Sequence, residues 1–157
     1  MTTWIFQGNP RRFPTINNYL RTHKQIWWCI RQEHFIDKIK IGDDVYIWRS
    51  NGGDPLSGGI VAKGEITSLP QEIEDDVPDL WTGGQENRHR VNIDINDTRL
   101  NEEEGMVRRI DLIKDDGING MRILRFPIET NHQLEPRHIN YINGLWERKR
   151  KNQFKRH

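Results

Sequence analysis

Alternating apolar and polar positions predict most of the strands of this chain. Apolar side chains that recur every second residue are typical of a strand with one buried face. Val45 and Ile47 alternate in this way with Tyr46 and Trp48, and the pattern returns in two later segments. Strands are predicted at residues 4–7, 25–30, 45–50, 59–67 and 90–95.

Helical spacing and turn residues predict the elements between and after these strands. A short helix is expected at residues 15–20, and a longer one is expected to begin at Pro136, because proline suits the first helical position. Residues 107–113 fit a helix and a strand equally well, and so do residues 117–126. The pattern predicts an α+β fold, a twisted small barrel of about five or six strands decorated by short helices.

Glycines and prolines predict the main connections. Residues 51–59 contain four glycines and should form the loop of a hairpin between the strands at 45–50 and 59–67. Gly64 inside the second strand indicates a bulge or a close approach of two backbones. Residues 70–88 are acidic and contain two prolines and two glycines, so we expect a long connection there.

Two stretches combine tryptophan with polar side chains at the end of a predicted strand. One is Trp27-Trp28-Cys29-Ile30-Arg31-Gln32 and the other is Val45-Tyr46-Ile47-Trp48-Arg49-Ser50. If the two strands are neighbours, they place two indole faces and several hydrogen-bond donors around one site. Such a site suits a flat aromatic ligand, for example a nucleobase that is held by stacking and by contacts at its edge.

Composition restricts the class of protein. The chain has 157 residues, enough for one domain, and 34% of them are hydrophobic, while the mean hydropathy of −0.88 indicates a very polar surface. No apolar run approaches 18 residues and the N-terminus does not resemble a signal peptide, so we expect a cytoplasmic protein. The single cysteine excludes an internal disulfide and a cysteine-based zinc site. We expect no cofactor and no metal.

Charge is segregated along the chain although the net charge is only +1. Residues 65–120 carry six Lys/Arg against fifteen Asp/Glu, whereas residues 121–157 carry nine against three. In the folded protein the charged side chains either form one basic face that can bind a polyanion, or they scatter over the surface. The last ten residues, 148–157, hold six Lys/Arg and no acid, so we divide the chain into a domain at 1–147 and a basic tail or linker at 148–157.

Four segments in register resemble the EVE domain family, which belongs to the PUA-like superfamily and is related to YTH domains. They are residues 4–10, 28–32, 42–50 and 59–66, in the order and spacing of the family, and Thr130-Asn131 adds a weaker match. Together they extend over most of residues 4–146. The resemblance implies a PUA-like barrel with a pocket for one modified base.

The resemblance also implies a function. EVE domains are associated with modified cytosine in DNA, often as the reading module of modification-dependent restriction systems, so we expect 5-methylcytosine or 5-hydroxymethylcytosine as the ligand. YTH domains hold methylated adenine in RNA, which makes an RNA reader of methyladenine or of a modified tRNA base the alternative. The basic tail departs from a stand-alone EVE domain and indicates a fused or associated nuclease effector.

Nine residues are candidates for the site, each with a structural alternative. Trp28 and Trp48 are expected to be the aromatic walls, or else core tryptophans, and Trp81 is either a third wall or an anchor of the acidic connection. Amide and hydroxyl groups could read the base edge, and arginines could contact phosphate, unless both sets are only solvated strand ends or helix caps. The edge-reading candidates are Gln32, Ser50, Asn9 and Asn131, and the phosphate-binding candidates are Arg31 and Arg49.

Catalytic motifs are weak by comparison. The glycine-rich loop at 51–59 lacks the GK[ST] ending of a P-loop, and the acidic runs at 72–76 and 102–104 are typical of solvated loops. Pro78-Asp79 and the later Glu147-Arg148-Lys149 match a nuclease pattern only in their letters. We therefore expect a non-enzymatic binding module, with a nucleic-acid hydrolase and a structural scaffold as the rival classes.

Overall fold

The structure is a computed structural model, and it describes residues 1–73, 88–116, 118–125 and 129–155. Within these ranges one mixed sheet is accompanied by short helices and one long C-terminal helix. The strands are β1 (Thr3–Gly8), β2 (Gln25–Cys29), β3 (Asp44–Arg49), β4 (Gly59–Ile66), β5 (Gln71–Ile73), β6 (Arg88–Thr98), β7 (Val107–Arg108) and β8 (Asn131–Gln133). The helices are α1 (Ile16–Thr22), α2 (Arg109–Ile113), α3 (Arg122–Arg125) and α4 (Pro136–Lys155), with a 3₁₀ turn at Glu33–Phe35.

The sheet has the strand order β2-β6-β4-β3-β1-β8, with β5 paired to β6 and β7 paired to β4. All pairs are antiparallel except β1 with β3, which run parallel in the register Thr3 with Asp44 through Gly8 with Arg49. Because these two strands run in the same direction, their C-terminal ends lie side by side at the same end of the sheet. The loops that follow them therefore meet there.

Side chains alternate between two hydrophobic layers on the two faces of the sheet. Along β3, Val45 and Ile47 belong to one layer, whereas Tyr46 and Trp48 belong to the other. The first layer is the interior of the curled sheet and is covered by α1 and the 3₁₀ turn. The second layer is covered by α2, α3 and α4, with Ile142 and Trp146 of α4 fully buried. This alternation decides which tryptophans share an environment.

The sheet curls until its two end strands meet. Asn131 at the start of β8 donates from Nδ2 to the carbonyl oxygen of Cys29 at the end of β2, at 3.1 Å. Its Oδ1 accepts from the backbone N–H of Arg31 at 2.7 Å. One fully buried amide side chain thus joins the first and last strands of the sheet. The result is a half-barrel closed at this point by hydrogen bonds rather than by a continuous ladder.

The observed architecture confirms the predicted α+β, PUA-like fold. The hairpin between the strands at 45–50 and 59–67 is confirmed by the antiparallel pairing of β3 with β4. Gly64 marks a register shift against β6, and a Cβ there would collide with the carbonyl oxygen of Asp94, so the close approach is confirmed as well. Residues 107–113 hold both predicted alternatives, a two-residue strand followed by a one-turn helix.

The remaining expectations are met in part or lie outside the described residues. In the described part of the chain the main path of the sheet has six strands, in agreement with the predicted five or six, and the short strands β5 and β7 pair beside this path. The two strands that carry the tryptophan stretches, β2 and β3, are not neighbours, since β6 and β4 separate them in the sheet, so the condition for one shared site between them is not met. Most of the connection at 70–88 is outside the described ranges. The helix α4 continues through the proposed boundary at 147, and a separate role for 148–157 stays a prediction.

Candidate functional site

A cavity of about 290 Å³ opens at the C-terminal ends of β1 and β3. Gln7, Asn9 and Arg11 line it from the end of β1 and the loop that follows. Three elements complete the walls: the end of β3 with its loop, the start of α2, and α3. They contribute Trp48, Ser50, Asn51, Gly52, Gly53, Arg109 and Ile123. Ligand sites of small molecules begin at about 300 Å³, so this volume suits one small planar group.

Backbone contacts between the two parallel strands position this cavity. The N–H of Ser50 donates to the carbonyl oxygen of Gly8 at 3.0 Å, which extends the β1–β3 pairing by one residue. Asn9 then turns the chain, because its Oδ1 accepts from the N–H of Arg11 at 3.0 Å and its carbonyl oxygen accepts from Phe13 at 2.8 Å. The side chain of Asn9 therefore stabilises a local turn, which is close to the helix-cap role given above as its structural alternative. Asn9 and Ser50 lie on adjacent chain segments at the mouth.

Trp48 and Ile123 supply the apolar part of the lining. Trp48 is only 2% exposed and packs in the layer that also contains Ile60, Val107 and Ile123. Its ring is therefore held by the core and does not depend on a ligand for its orientation. A ligand in the cavity would touch the small exposed part of this ring at a position that is already fixed, which lowers the conformational entropy lost on binding.

The hydroxyl of Ser50 is a buried polar group of the lining. Its Oγ is buried and has no hydrogen-bond partner among the described residues. A buried polar group without a partner costs about 1–3 kcal/mol. A ligand that hydrogen-bonds this hydroxyl would recover that free energy. Because a hydroxyl both donates and accepts, it can pair with either kind of group on a base edge.

Two arginines beside the cavity were missed by the sequence reasoning. Arg11 is exposed on the turn after β1, and Arg109 is partly buried at the start of α2. The backbone of Arg109 is tied to the loop after β3, because its N–H donates to the carbonyl oxygen of Gly58 at 2.8 Å. The available signal was position: Arg11 follows Asn9-Pro10 directly, whereas Arg109 lies in the segment whose pattern was ambiguous.

Gln32 and Asn131, both predicted to read the base edge, hydrogen-bond to each other. The N–H of Asn131 donates to Oε1 of Gln32 at 2.7 Å, and Oδ1 of Asn131 accepts from the N–H of Gln32 at 3.4 Å. Neither residue lines the cavity. They lie next to it, because the N–H of Gln7, which is a lining residue, donates to the carbonyl oxygen of Thr130, one residue before Asn131. Their geometry is that of a structural bridge at the cavity's border.

Arg49 is buried, contrary to what a phosphate ligand requires. It is 6% exposed, and its guanidinium donates to the carbonyl oxygens of Ser57 and Leu100 and to Oδ1 of Asn17, at 2.8–2.9 Å. Burial is the main cause that lowers the pKa of Arg49. These contacts attach the loop after β3 to the core. A phosphate contact from Arg49, which stays a prediction, would require the hydrogen bonds to open.

The other predicted residues are distributed away from the cavity. Trp28 is fully buried inside the half-barrel, with its ring 6.1 Å from that of Phe13 and its edge against Gly8. Trp28 and Trp48 therefore occupy opposite layers, and the structure does not bring their faces together. Arg31 is half-buried beside Gln32. Trp81 lies outside the described residues.

A histidine and a glutamate border the site through backbone contacts. The carbonyl oxygen of Glu129 accepts from Nε2 of Gln7 at 2.9 Å and contacts Nε2 of His132 at 3.0 Å. Burial lowers the pKa of His132, and the hydrogen bond from Arg122 lowers the pKa of Glu129. His132 is therefore neutral at pH 7. The segment 129–132 thus connects the amide of Gln7 to the closed end of the barrel.

Neither a metal-binding cluster nor a membrane-spanning helix occurs in the described part of the chain. Within the described ranges there is no group of three or more His, Cys, Asp or Glu side chains arranged to hold a metal ion. In the same ranges no helix combines the length and the apolar character needed to cross a bilayer.

The comparison with protein families gives one match that extends over nearly the whole chain. The family model described as "EVE domain" matches residues 2–145. This chain belongs to the EVE domain family. The match includes both strands that form the cavity and Asn131, which closes the barrel, so the cavity is part of the EVE domain. A comparison with functionally curated proteins gives no match.

Solved structures of similar fold place this EVE domain among proteins of known shape. A hypothetical protein from Leishmania major is 14% identical with a TM-score of 0.70, covering 94% of this chain and 96% of its own. Human THYN1, solved with 5-methylcytosine-containing DNA, is 10% identical with a TM-score of 0.67, covering 94% and 98%. The YTH domain of Zygosaccharomyces rouxii MRB1, solved with N6-methyladenosine RNA, is 13% identical with a TM-score of 0.56, covering 92% and 86%. At these identities the similarity establishes the fold.

Proposed function

We propose that this EVE domain is a non-enzymatic reader that holds one modified nucleobase in the cavity between the ends of β1 and β3. The observation that carries the proposal is the buried hydroxyl of Ser50, which has no hydrogen-bond partner in the described part of the chain and belongs to a residue that lines, with Trp48, a cavity of about 290 Å³. A planar ring stacked on the indole would bring its polar edge toward Ser50. Stacking of a base on an aromatic side chain contributes about 1–3 kcal/mol.

The amides and cations around the cavity complete this arrangement. Asn9 and Gln7 lie in the lining with Ser50, so hydrogen-bonding groups come from both strand ends. Arg11 and Arg109 flank the opening, where guanidinium groups can contact the phosphates on either side of an extracted nucleotide. We therefore propose Arg11 and Arg109 as the phosphate-binding residues at the opening, whereas a phosphate contact from Arg31, whose Nε and Nη2 are buried, stays a prediction. Gln32 and Asn131 act through the position of the β1 end that they border.

The proposed ligand is cytosine methylated or hydroxymethylated at C5, in DNA. Two structural neighbours support a modified base: human THYN1 was solved with 5-methylcytosine-containing DNA, and the yeast YTH domain with N6-methyladenosine RNA. Cytosine presents an amino donor next to a ring acceptor and a carbonyl acceptor, whereas adenine has no carbonyl. A methylated adenine in RNA is the second candidate, and the YTH neighbour is the observation that favours it.

A base in a duplex must leave the stack to reach such a cavity. Extraction costs a few kcal/mol, which contacts to the base and its flanking phosphates have to offset. Because phosphate contacts release counterions, binding should weaken steeply with salt. The basic stretch at 148–157 would add contacts of this kind that do not depend on sequence. A nuclease effector of a restriction system stays a predicted partner, which co-purification from the native host would test.

The experiment that tests the function is a competition titration at one fixed salt concentration. Matched oligonucleotides carry 5-methylcytosine, 5-hydroxymethylcytosine, N6-methyladenine or no modification, each as DNA and as RNA. We expect the tightest binding to a modified cytosine in DNA. Equal affinity across the panel would contradict the reader proposal, and a preference for methyladenine RNA would select the alternative ligand.

The same preparation tests the enzymatic rival. Each DNA of the panel is incubated with the protein and Mg²⁺ or Mn²⁺, and the products are separated on a denaturing gel. We expect intact strands throughout. Cleavage that co-purifies with the protein would make it a nucleic-acid hydrolase instead of a reader.

A further inference from the structure

The loop between β3 and β4 presents an apolar tip beside the cavity. Leu56 is 56% exposed and follows the exposed Pro55 at the far end of this loop. Exposed large apolar side chains are ordinary when they are scattered over a surface. Among the described residues the others are Met1, Ile41, Leu69 and Ile113, and of these only Ile113, at the far end of α2 from Arg109, shares an element with a lining residue. Leu56 is the one of them that lies on the loop between β3 and β4, in which residues 51–53 form a wall of the cavity.

The loop is folded on itself rather than slack. The N–H of Leu56 donates to Oδ1 of Asp54 at 3.0 Å, and the N–H of Asp54 donates to the carbonyl oxygen of Asn51 at 2.9 Å. The hydroxyl of Ser57 also donates to the carbonyl oxygen of Asn51, at 2.8 Å. The loop thus presents its tip in a defined direction.

Two further contacts attach the folded loop to the rest of the domain. In the first contact, Nε of the buried Arg49 donates to the carbonyl oxygen of Ser57 at 2.9 Å. From the side, Gly52 lies so close to Pro10 that an added Cβ would stand 3.2 Å from the proline ring, and its φ of +57° is one that glycine tolerates best. These contacts therefore join the apolar tip and the cavity wall in one folded loop.

We propose that Leu56 is a wedge that enters the base stack when a nucleotide is drawn from a duplex into the cavity. The proposal rests on the function proposed above and adds a positioning residue to it. A duplex that loses one base from its stack exposes the apolar faces of the neighbouring bases to water. An apolar side chain inserted between base steps covers those faces, which is how many DNA-bending proteins use leucine, isoleucine and phenylalanine. Arg49 acts indirectly, by supporting the loop that carries the wedge.

The test compares substrates that differ only in whether a base must be extracted. Fluorescence anisotropy measures the affinity of the wild type, Leu56→Ala and Leu69→Ala for three DNAs that carry one 5-methylcytosine. The DNAs are a fully paired duplex, a duplex with an abasic site opposite the modified base, and a single strand. Leu69 is the matched control, because it is 52% exposed and lies outside the cavity.

We expect Leu56→Ala to weaken binding of the paired duplex by about tenfold, since an unstacked gap left open costs part of the extraction energy. Its affinity for the single strand should change less than about twofold, because no stack has to be opened. Leu69→Ala should match the wild type on all three DNAs. Leu56→Phe, which keeps an apolar tip, should retain most of the wild-type affinity for the paired duplex.

The outcomes separate the wedge from the reader function. A control replaces the modified cytosine by plain cytosine in the paired duplex and in the single strand. If the wild type binds both versions with equal affinity, the reader proposal itself is contradicted. A retained preference for the modified base, with equal binding of the paired duplex by Leu56→Ala and wild type, would overturn only the wedge. An equal loss on all three DNAs would also overturn it and make Leu56 a general contact.

Discussion

Gln32 and Asn131, 99 residues apart in the chain, bind each other through side chain and backbone. Oε1 of Gln32 accepts from the N–H of Asn131 at 2.7 Å, and Oδ1 of Asn131 accepts from the N–H of Gln32 at 3.4 Å. Since Asn131 also bonds Cys29 and Arg31, this pair joins the two end strands of the curled sheet. The border of the proposed base site is therefore also the point at which the barrel closes.

Removal of the Asn131 side chain should destabilise the whole domain. Asn131→Ala removes the hydrogen bonds that its side chain makes to the carbonyl oxygen of Cys29 and to the N–H of Arg31, and loss of a hydrogen bond to a buried polar group costs about 1–3 kcal/mol. We expect the free energy of unfolding, measured with urea, to fall by about 3 kcal/mol. Gln32→Ala should lower it by about 1 kcal/mol, because it removes one acceptor. A change at Asn131 no larger than that of the exposed Asn119→Ala would disprove the bridge.

Substitution of Arg49 should affect stability and leave electrostatic binding unchanged. Arg49→Lys retains a positive charge but cannot satisfy three acceptors held in a fixed fork geometry. We expect a loss of about 2 kcal/mol or more in the free energy of unfolding. The slope of log K against log salt should stay that of the wild type for plain DNA. A flatter slope without a loss of stability would instead support the phosphate contact that the sequence indicated for Arg49.

Arg109 should show the opposite behaviour. It flanks the cavity mouth and is partly exposed, so Arg109→Gln should leave the free energy of unfolding nearly unchanged. Removing a single interaction with a DNA phosphate should flatten the salt slope by about 0.9 and weaken modified and plain duplex DNA to a similar extent. The exposed Arg137→Gln, on α4 and outside the cavity lining, is the control. Equal slopes for wild type and Arg109→Gln would remove Arg109 from the site.

Stability should fall on mild acidification because two buried histidines are held neutral. Burial lowers the pKa of His132 and of His138 below the unfolded value of about 6.5. The unfolded chain therefore binds more protons, and stability is fully present above pH 6.5 and decreases as the pH falls below it. We expect the melting temperature to drop between pH 7.5 and 5.5, and His132→Gln to reduce that dependence. Replacement of the exposed His34 should leave the pH dependence of the melting temperature unchanged. If His132→Gln also leaves it unchanged, this account is contradicted.

Sequence pattern was sufficient for the strands that alternate and insufficient for the residues that close the site. The alternation of Val45 and Ile47 with Tyr46 and Trp48 predicted β3 correctly, because the period of two is a local property. Asn131-His132-Gln133 carries no such pattern and became a strand only through its pairing with β1. The bridge from Asn131 to Gln32 depends on the curl of the whole sheet. No local pattern reports that curl.

The two tryptophans illustrate the same limit. Trp28 and Trp48 occupy similar stretches, each followed by an arginine and a small polar or amide residue. Alternation assigns a side chain to one face of its strand, but it does not say which face of the sheet borders a cavity. The strands β6 and β4 separate the two stretches, and the two rings lie in different layers. Only Trp48 lines the cavity, and both are so buried that an alanine at either position would test stability, at about 3–5 kcal/mol, rather than binding.

Recognition of a modified base by the cavity beside Ser50 and Trp48 is the central claim. It is tested most directly by the ratio of the dissociation constants for plain and 5-methylcytosine duplexes, measured for wild type and Ser50→Ala at the same salt concentration. Ser50→Ala removes one hydroxyl that has no partner among the described residues, so the fold should be retained and the melting temperature unchanged or higher. We expect the ratio to fall by about fivefold or more, because the hydrogen bond to the extracted base contributes about 1 kcal/mol or more, whereas plain DNA, which we expect to bind through its phosphates with its bases still stacked, does not form that bond. A ratio equal to that of the wild type would contradict the assignment of this cavity as the base site.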